Sequence, residues 1–225
     1  MLFCGACKNL GKNEDKVYIA RLSEINEADV YFDYRVSATE GDDNLTIMIR
    51  YYEGYEEGPT VLIDSPAHVA LDSTVLRVDS TGLSGAFYEI QKPISSFSGE
   101  HTITLITAKN KYEERFLFEP LTLVSPLPDT IGRDDLVLQL GGLETEDFVR
   151  TVITDTVITH DGINRIDTVQ NGLLRLNRTD LETLTSGPVH IEIHREFERP
   201  VRNSPDAGGR IFIGYILKKD IYLKN

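Results

Sequence analysis

Tryptophan is absent from the 225 residues, and cysteine occurs only twice, at Cys4 and Cys7. With no later cysteine, the folded part of the chain cannot be a disulfide scaffold. Basic residues are also few, since 23 Lys and Arg stand against 36 Asp and Glu, a net charge of −13. A nucleic-acid-binding protein needs a basic face toward the phosphates. The charge therefore argues against this class, and against electrostatic docking on an anionic membrane.

Long apolar runs and catalytic motifs are missing as well. No stretch approaches the ~20 apolar residues that a membrane-spanning helix needs. The chain contains no G-x-S-x-G elbow, no G-x-x-x-x-G-K-[ST] loop, no G-x-G-x-x-G turn and no H-E-x-x-H motif. Carboxylate pairs for glycoside hydrolysis stay open, because such pairs meet in space rather than in sequence. With 40% apolar and 26% charged residues, the composition indicates a folded protein, and we predict that it is not an enzyme.

Alternation with a period of two runs through the chain from Val17 onward. In VYFDYRV, Val30, Phe32, Tyr34 and Val36 share one face, as in a strand with one buried side. Turn clusters such as EGDDN and EEGP separate successive segments, and no window of ten residues shows a helical stripe. We therefore predict an all-β fold, with strands at 30–36, 44–52, 60–64, 68–71, 75–78, 86–90, 101–108, 115–124, 136–140, 148–159, 165–169, 173–176, 189–196 and 210–223.

A proline-rich break divides the chain into two halves. The stretch VSPLPDTIGRDD contains Pro126 and Pro128, and each proline disfavours helix in the residue before it. We place a linker at 125–133, between an N-terminal domain at 17–124 and a C-terminal domain at 134–225. Each half has the size of a domain that folds by itself.

The two halves repeat each other weakly. Each half contains a stretch that leads through a polar turn into a strand beginning with histidine. These stretches are YEIQKPISSFSGEHTITLI in the first half and LRLNRTDLETLTSGPVHIEIH in the second. Thr179 and Glu182 are typical of a capping box around one helical turn, and Pro93 suits the first turn of a similar short helix. A helical crossover followed by a long last strand resembles immunoglobulin-like sandwiches. The resemblance implies two tandem antiparallel β-sandwich domains, although the disulfide and core tryptophan of that family are absent.

The two cysteines enclose the motif CGAC at residues 4–7. A redox C-x-x-C needs a preceding strand and a helix N-terminus, and a structural zinc site needs a second ligand pair; the sequence shows neither. The run LFCGAC resembles the end of a bacterial lipoprotein signal peptide, with Cys4 in place of the family's usual aliphatic residue. The resemblance implies a signal remnant and flexible tether at 1–16, lipidation of Cys7, and attachment to the cell envelope, periplasmic or at the outer-membrane surface. A disordered tail with incidental thiols is the alternative.

Several triplets of Asp, then Ser or Thr, then a small or apolar residue resemble the O-glycosylation motif of exported proteins in the Bacteroidota lineage. They begin at Asp72, Asp79, Asp129, Asp155 and Asp167. The resemblance supports an exported, Bacteroidota-like lipoprotein, although triplets of this length also arise by chance.

The motif HIEIH offers metal-binding residue types. On a strand, His190, Glu192 and His194 share one face while Ile191 and Ile193 point into the core. Residues two apart lie roughly 7 Å from each other, so the row can supply metal ligands; the two histidines, at about 13 Å, need a third element to share one ion. A solvated polar face is the alternative interpretation.

Acidic turns offer oxygen ligands of the kind that calcium takes in loops between β-domains. Asp129, Asp134 and Asp135 at the domain junction are the best placed of these. None of the turns matches D-x-[DN]-x-[DN]-G, and acidic turns are common in soluble β-proteins. Calcium is the one cofactor that the sequence leaves open.

Tyrosines near a turn in RYYEGYEEG offer rings that stack on a sugar or a peptide. Tyr51 falls on the buried register, so Tyr52 and Tyr55 are the exposed candidates. Packing in the core or at an edge is the alternative.

The sequence favours a non-catalytic envelope lipoprotein that binds a glycan, a peptide or another envelope protein, through loops at a sandwich end or through an edge strand. One alternative is a metal-dependent enzyme or accessory subunit built around His190, Glu192 and His194. Another is a structural spacer whose terminal strand, 210–223, pairs with a partner sheet.

Overall fold

A computed structural model describes residues 18–81, 85–156 and 162–225. Cys7, the predicted lipidation site, lies outside these residues. The regular structure of the described chain is mainly strand, with one short α-helix and three single-turn 3-10 helices, so the predicted all-β fold class is confirmed. No described helix is long and apolar enough to cross a membrane.

The described part of the first half contains eleven strands, several of them only two to four residues long. They are β1 (Ile19–Arg21), β2 (Val30–Thr39), β3 (Asn44–Glu53), β4 (Thr60–Leu62), β5 (His68–Leu71), β6 (Thr74–Val75), β7 (Val78–Thr81), β8 (Gly85–Pro93), β9 (Gly99–Ile106), β10 (Lys111–Phe118) and β11 (Thr122–Leu123). The 3-10 helices lie at Leu22–Glu24, Glu27–Asp29 and Ile94–Ser96.

The second half contains the remaining strands and the α-helix. They are β12 (Thr130–Ile131), β13 (Leu136–Gly141), β14 (Glu146–Asp155), β15 (Ile163–Gln170), β16 (Leu173–Leu176), α1 (Arg178–Glu182), β17 (Gly187–Pro200) and β18 (Gly209–Leu223).

The first half is a sandwich of two sheets. One layer has the strand order β1-β4-β3-β2, with β8 paired to β3 and β7 paired to β8, and the other has the order β10-β9-β5-β6. The alternation of apolar residues in β2 directs Phe32 and Tyr34 inward, and both are buried. The ring of Phe32 lies 5.4 Å from the ring of Tyr112 in β10, which joins the two layers edge to face.

The hairpin of β17 and β18 belongs to both halves. Its two strands pair over their whole length, from Gly187 opposite Leu223 to Pro200 opposite Arg210. β17 pairs with β14 of the second half, whereas residues 209–216 of β18 pair in parallel with 32–39 of β2 in the first half. The hairpin therefore extends the first layer of the N-terminal sandwich. The predicted linker at 125–133 stays a prediction. A hairpin that pairs with strands of both halves was not predicted from the sequence.

A buried carboxylate strengthens the junction between β18 and β2. Asp33 is only 2% exposed, and its two oxygens lie 2.9 Å from Nε of Arg210 and 3.2 Å from Nε of Arg35. Asp33 and Arg210 are register partners across the parallel pair. An ion pair that is hydrogen-bonded on both oxygens suits this burial, because an unpaired buried charge would be costly.

In the second half the sheet continues from β17 through β14 and β15 to β16, β13 and β11. β15 and β16 share a single register pair, Gln170 opposite Leu173, before the strands diverge. Four strands of this half contribute to one apolar core. Its members include Val149 and Ile153 of β14, Ile191 and Ile193 of β17, Leu138 and Leu140 of β13, and Leu174 and Leu176 of β16.

Three local predictions require correction. The strand predicted at 75–78 falls across the gap between β6 and β7, and the one predicted at 115–124 ends at Phe118, because Glu119 and Pro120 interrupt it before β11. The predicted helical turn exists, but it begins at Arg178 with Asn177 as its N-cap. Its N3 carboxylate is Asp180, which accepts the Asn177 N–H at 2.8 Å.

Candidate functional site

The inner face of the hairpin is left partly uncovered. The second layer ends at β10, whose Phe118 ring lies 6.4 Å from Tyr215 of β18. β17 lies one strand further out, and within the described ranges no strand of the second layer reaches over it. Phe197 of β17 therefore stays 45% exposed although it points to the same face as the buried Ile193. Phe197, Ile213 and Tyr215 form an apolar floor.

A groove of about 750 Å³ lies above this floor. One wall is β10 with the residue that follows it, where Arg115, Leu117 and Glu119 line the groove. The other wall comes from the second half, where Gly142, Leu143 and Glu144 line the groove between β13 and β14. We call this space the hairpin groove, and it is concave and mixed in polarity, as ligand sites commonly are.

An ion pair ties the floor to the first wall. Nη1 of Arg199 in β17 lies 2.6 Å from Oε1 of Glu114 in β10, and Glu114 is only 1% exposed. The second carboxylate oxygen accepts the backbone N–H of Arg202 at 2.7 Å. Nη2 of Arg199 also donates to the carbonyl oxygen of Arg115 at 2.8 Å. Arg199 thus fixes the distance between β17 and β10.

A second arginine ties the floor to the opposite wall. Nη1 of Arg195 donates to the carbonyl oxygen of Gly142 at 2.6 Å, and its Nε lies 3.2 Å from Oδ2 of Asp147. Arg195 and Arg199 flank Phe197 on one face of β17, so each wall is held by one guanidinium group. The groove is therefore a preorganised feature of the hairpin rather than a gap between loosely connected halves.

The charge of the lining differs from that of the whole chain. The groove is lined by four arginines and three glutamates, whereas the chain as a whole carries a net charge of −13. Arg195 and Arg199 are used in the ties to the walls. The guanidinium groups of Arg115 and Arg202 form no ion pair within the part of the chain that the structure describes. Both are therefore available to a ligand.

The HIEIH row has the predicted register. Ile191 and Ile193 are buried, and Glu192 lies between the two histidines. The Glu192 carboxylate oxygens lie 3.2 Å from Nε2 of His190 and 2.9 Å from Nε2 of His194. The carboxylate is thus used in hydrogen bonds to both rings, and no group of three or more His, Cys, Asp or Glu in the described ranges could hold a metal ion.

Neighbouring groups shift the pKa values of two members of this row, His190 and Glu192. Nδ1 of His190 lies 2.7 Å from Oδ1 of Asp220, and the hydrogen bond to Asp220 is the main cause of a raised pKa for His190. Burial acts to raise the pKa of Glu192, but the hydrogen bonds from His194 and His190, with the charge of Lys218, bring it below the ordinary value. The row is a charge network on the outer face of the sheet.

We expect the substitution His190→Gln to remove part of the pH dependence of stability. A histidine whose folded pKa is raised contributes stability that is fully present below its unfolded pKa, about 6.5, and lost as the pH rises through the folded value. The contribution is less than about 1 kcal/mol for a pair this exposed. Urea unfolding on the two sides of that pH measures it. His68→Gln is the control, since His68 has no carboxylate partner in the described ranges; an unchanged pH dependence in H190Q contradicts the prediction.

The tyrosine candidates lie away from the groove. Tyr51 is fully buried, as its register predicts, and Tyr55 is 63% exposed in the turn after β3. Tyr52 is half-buried on the outer face of the first layer, opposite Tyr31 of β2. The structure does not bring Tyr52 and Tyr55 together with the hairpin groove, and their role in recognition stays a prediction.

The acidic candidates Asp129, Asp134 and Asp135 have exposed side chains. Oδ1 of Asp135 accepts the backbone N–H of Arg178 at 2.7 Å, so this carboxylate stabilises the first turn of α1. A calcium site at these residues stays a prediction.

The residues of the groove were not predicted from the sequence, although the sequence carries a signal for them. The predicted strand at 189–196 is too short, since the alternation continues through HREFERP to Pro200. On the face that begins with Ile191 and Ile193, the next members are Arg195, Phe197 and Arg199. A change from apolar residues to an Arg-Phe-Arg row on an inward face indicates that the strand leaves the core of its own half.

Comparisons with known proteins give weak fold likenesses. No protein-family model and no curated protein matches the chain. Among solved structures, the chain is similar to titin Ig tandem domains, with 12% identity over 87% of this chain and 95% of that one, at a TM-score of 0.22. It is also similar to a chain of a 1.5-MDa bacterial ice-binding adhesin, described in terms of host cell surface retention, with 10% identity over 89% of this chain and 67% of that one, at a TM-score of 0.25. Scores this low support no argument about function.

Proposed function

We propose that this protein is a non-catalytic binding module of the cell envelope, which holds a partner in the hairpin groove. The observation that carries the proposal is the uncovered floor around Phe197, because a half-exposed aromatic residue on an inward-facing strand is the type of anchor that binding sites use. The walls are fixed by Arg195 and Arg199, so a ligand would meet a preformed surface and pay little ordering cost.

The other two hypotheses from the sequence have less support in the geometry. The Glu192 carboxylate is used in hydrogen bonds to His190 and His194. The terminal strand lacks the long free edge that a spacer would need, since β18 pairs with β2 over 209–216 and with β12 at Tyr222 and Leu223. The hairpin groove remains the best-supported site.

The location is part of the same proposal. A lipid anchor at Cys7 would hold the module at the membrane while the groove faces a partner in the envelope. The intact mass of the N-terminal peptide from a membrane fraction tests this anchor. A diacylglyceryl or triacylglyceryl adduct on Cys7 supports it, and an unmodified Met1 in the soluble fraction contradicts it.

We expect Phe197→Glu to weaken ligand binding strongly without unfolding the protein, because the change puts a charge on an apolar floor that is already open to water. The measurement is selection of displayed linear peptides on the wild-type protein, followed by affinity measurements on variants. Peptides that fill the groove lose about tenfold or more in affinity for F197E.

Phe148→Glu is the matched control, since Phe148 is 58% exposed on the outer face of β14, away from the groove. Peptides that bind F148E like the wild type but fail on F197E support the proposed site. A selection whose peptides all bind F197E as tightly as the wild type contradicts it.

A further inference from the structure

The wall formed by β10 is a strand edge with which no other strand pairs in the described residues. β10 pairs with β9, where Arg115 stands opposite Thr102. Thr102 directs its N–H to Asp72 Oδ1 at 2.9 Å and its carbonyl oxygen to the Asp72 N–H at 3.0 Å, and so turns both groups away from β10. Arg115 and Thr102 are therefore a pair without mutual hydrogen bonds, and Arg115 points its own N–H and C=O to the other edge.

The direction of these groups is confirmed from the groove side. The carbonyl oxygen of Arg115 accepts Nη2 of Arg199, which reaches it from β17. Because residues two apart in a strand point to the same edge, Leu117 also directs its N–H and C=O into the groove. Arg199 takes the place of a ladder donor at one position, and no strand pairs with this edge elsewhere in the described ranges.

An added strand at this edge would complete the sandwich. Its inward side chains would lie over Phe197 and Ile213, which the second layer leaves uncovered, at the usual spacing of neighbouring strands and stacked sheets. Its outward side chains would lie beside Leu117, which is 56% exposed. The apolar floor and the unpaired edge of β10 therefore fit the same kind of ligand, an extended segment with apolar residues at alternate positions.

The charges indicate what the outward positions carry. Arg115 is on the outward face of β10 and forms no ion pair among the described residues, and opposite charges on neighbouring strands stabilise the pairing. Arg202, at the same groove, is likewise free of an ion pair there. An acidic residue on the ligand opposite Arg115 would therefore be favoured, in a chain that otherwise repels acidic partners through its net charge of −13.

We infer that the hairpin groove binds a segment of another protein as an added β-strand on the free edge of β10, and that this segment alternates apolar with acidic residues. The inference deepens the proposed function and rests on it. Main-chain hydrogen bonds to the N–H of Arg115 and to the N–H and C=O of Leu117 would give affinity, while the floor and the Arg115 side chain would select the side chains of the ligand.

A synthetic peptide tests the inference on the full-length protein. The probe is acetyl-Ser-Val-Glu-Val-Glu-Val-Ser-amide, and its affinity is measured by calorimetry or fluorescence anisotropy. We expect binding to the wild type and to F148E, and weaker binding of the version with Lys in place of both Glu. A change of Arg115→Gln should reduce the preference for the Glu version.

Methylation of single backbone nitrogens in the probe separates strand addition from other modes. In a paired strand only every second N–H points to β10, so N-methylation at alternate positions should weaken binding about tenfold or more, while N-methylation at the intervening positions leaves it nearly unchanged. On the protein, Leu117→Pro removes an edge N–H where edge strands tolerate proline, and Leu117→Val is its matched control.

The outcomes separate the inference from the proposed function. An alternating N-methyl effect that disappears together with binding in F197E supports both. Binding that depends on Phe197 without any alternation leaves the proposed function intact and overturns strand addition. An alternating effect that persists in F197E places the peptide on another edge and overturns both. If the alternating probe does not bind at concentrations up to about 1 mM, the inferred ligand chemistry is overturned, even if peptides from the displayed library bind to the groove.

Discussion

Replacing Arg199 with methionine should destabilise the protein by about 3 kcal/mol or more. The change leaves Glu114 as a buried carboxylate, 1% exposed, without its cationic partner, and removal of one member of a buried ion pair is strongly destabilising. It also removes the donor to the Arg115 carbonyl oxygen. The free energy of unfolding from urea denaturation measures the effect.

Two variants control this prediction. Arg178→Met removes an ion pair with Glu182 in which the arginine is 67% exposed, and we expect a much smaller loss of stability, because exposed ion pairs contribute little. The double change Glu114→Met with Arg199→Met should recover most of the stability, since apolar residues replace a buried ion pair well. If R199M lowers the free energy of unfolding no more than R178M does, the ion pair between Arg199 and Glu114 does not hold the hairpin to the second layer.

The first half expressed alone, as residues 18–124, should be destabilised by about 3 kcal/mol or more relative to a chain that keeps β18. The truncation exposes the edge of β2 and removes Ile211 and Tyr215, which are buried at the junction and contribute about 1.5–3 kcal/mol each. The sequence predicts that each half folds by itself. Because β18 pairs with β2, we now expect the first half to depend on the hairpin for part of its stability.

A fusion provides the matched control for the truncation. Joining residues 205–217 to the end of 18–124 through a flexible linker supplies β18 without the rest of the second half, and it should restore much of the lost stability. Equal unfolding midpoints for 18–124 and for the fusion would show that β18 adds nothing to the first half.

Local alternation predicted the strands well, because the side-chain period of two is a short-range property. The register of β2, with Phe32 and Tyr34 inward, and that of β17, with Ile191 and Ile193 inward, were both correct. The helix α1 was predicted, but its capping box was placed two residues too late, at Thr179 and Glu182. Asn177 and Asp180 cap it, and Glu182 instead forms an ion pair with Arg178.

The sequence could not predict the hairpin groove, because its walls come from distant parts of the chain. Arg199 meets Glu114 across 85 positions, and the parallel pairing of β18 with β2 joins segments still further apart. Nothing in the local pattern of β10 says that it ends the second layer. The row Arg195, Phe197, Arg199 is visible in the sequence as a change from apolar to mixed residues on an inward face. Whether such a row forms the floor of a groove depends on which strands pack over it, and the local sequence does not show this.

The most direct test of the account is hydrogen–deuterium exchange of the full-length protein with and without the alternating peptide probe. If the probe adds as a strand, amide protection should rise in the segment that contains Arg115 and Leu117 and in the segment around Phe197. The amides of β15, on the far side of the second half, should not change. Protection that appears at β15, or an unchanged exchange rate at Leu117 when the peptide is bound, would contradict the claim that the hairpin groove is the binding site.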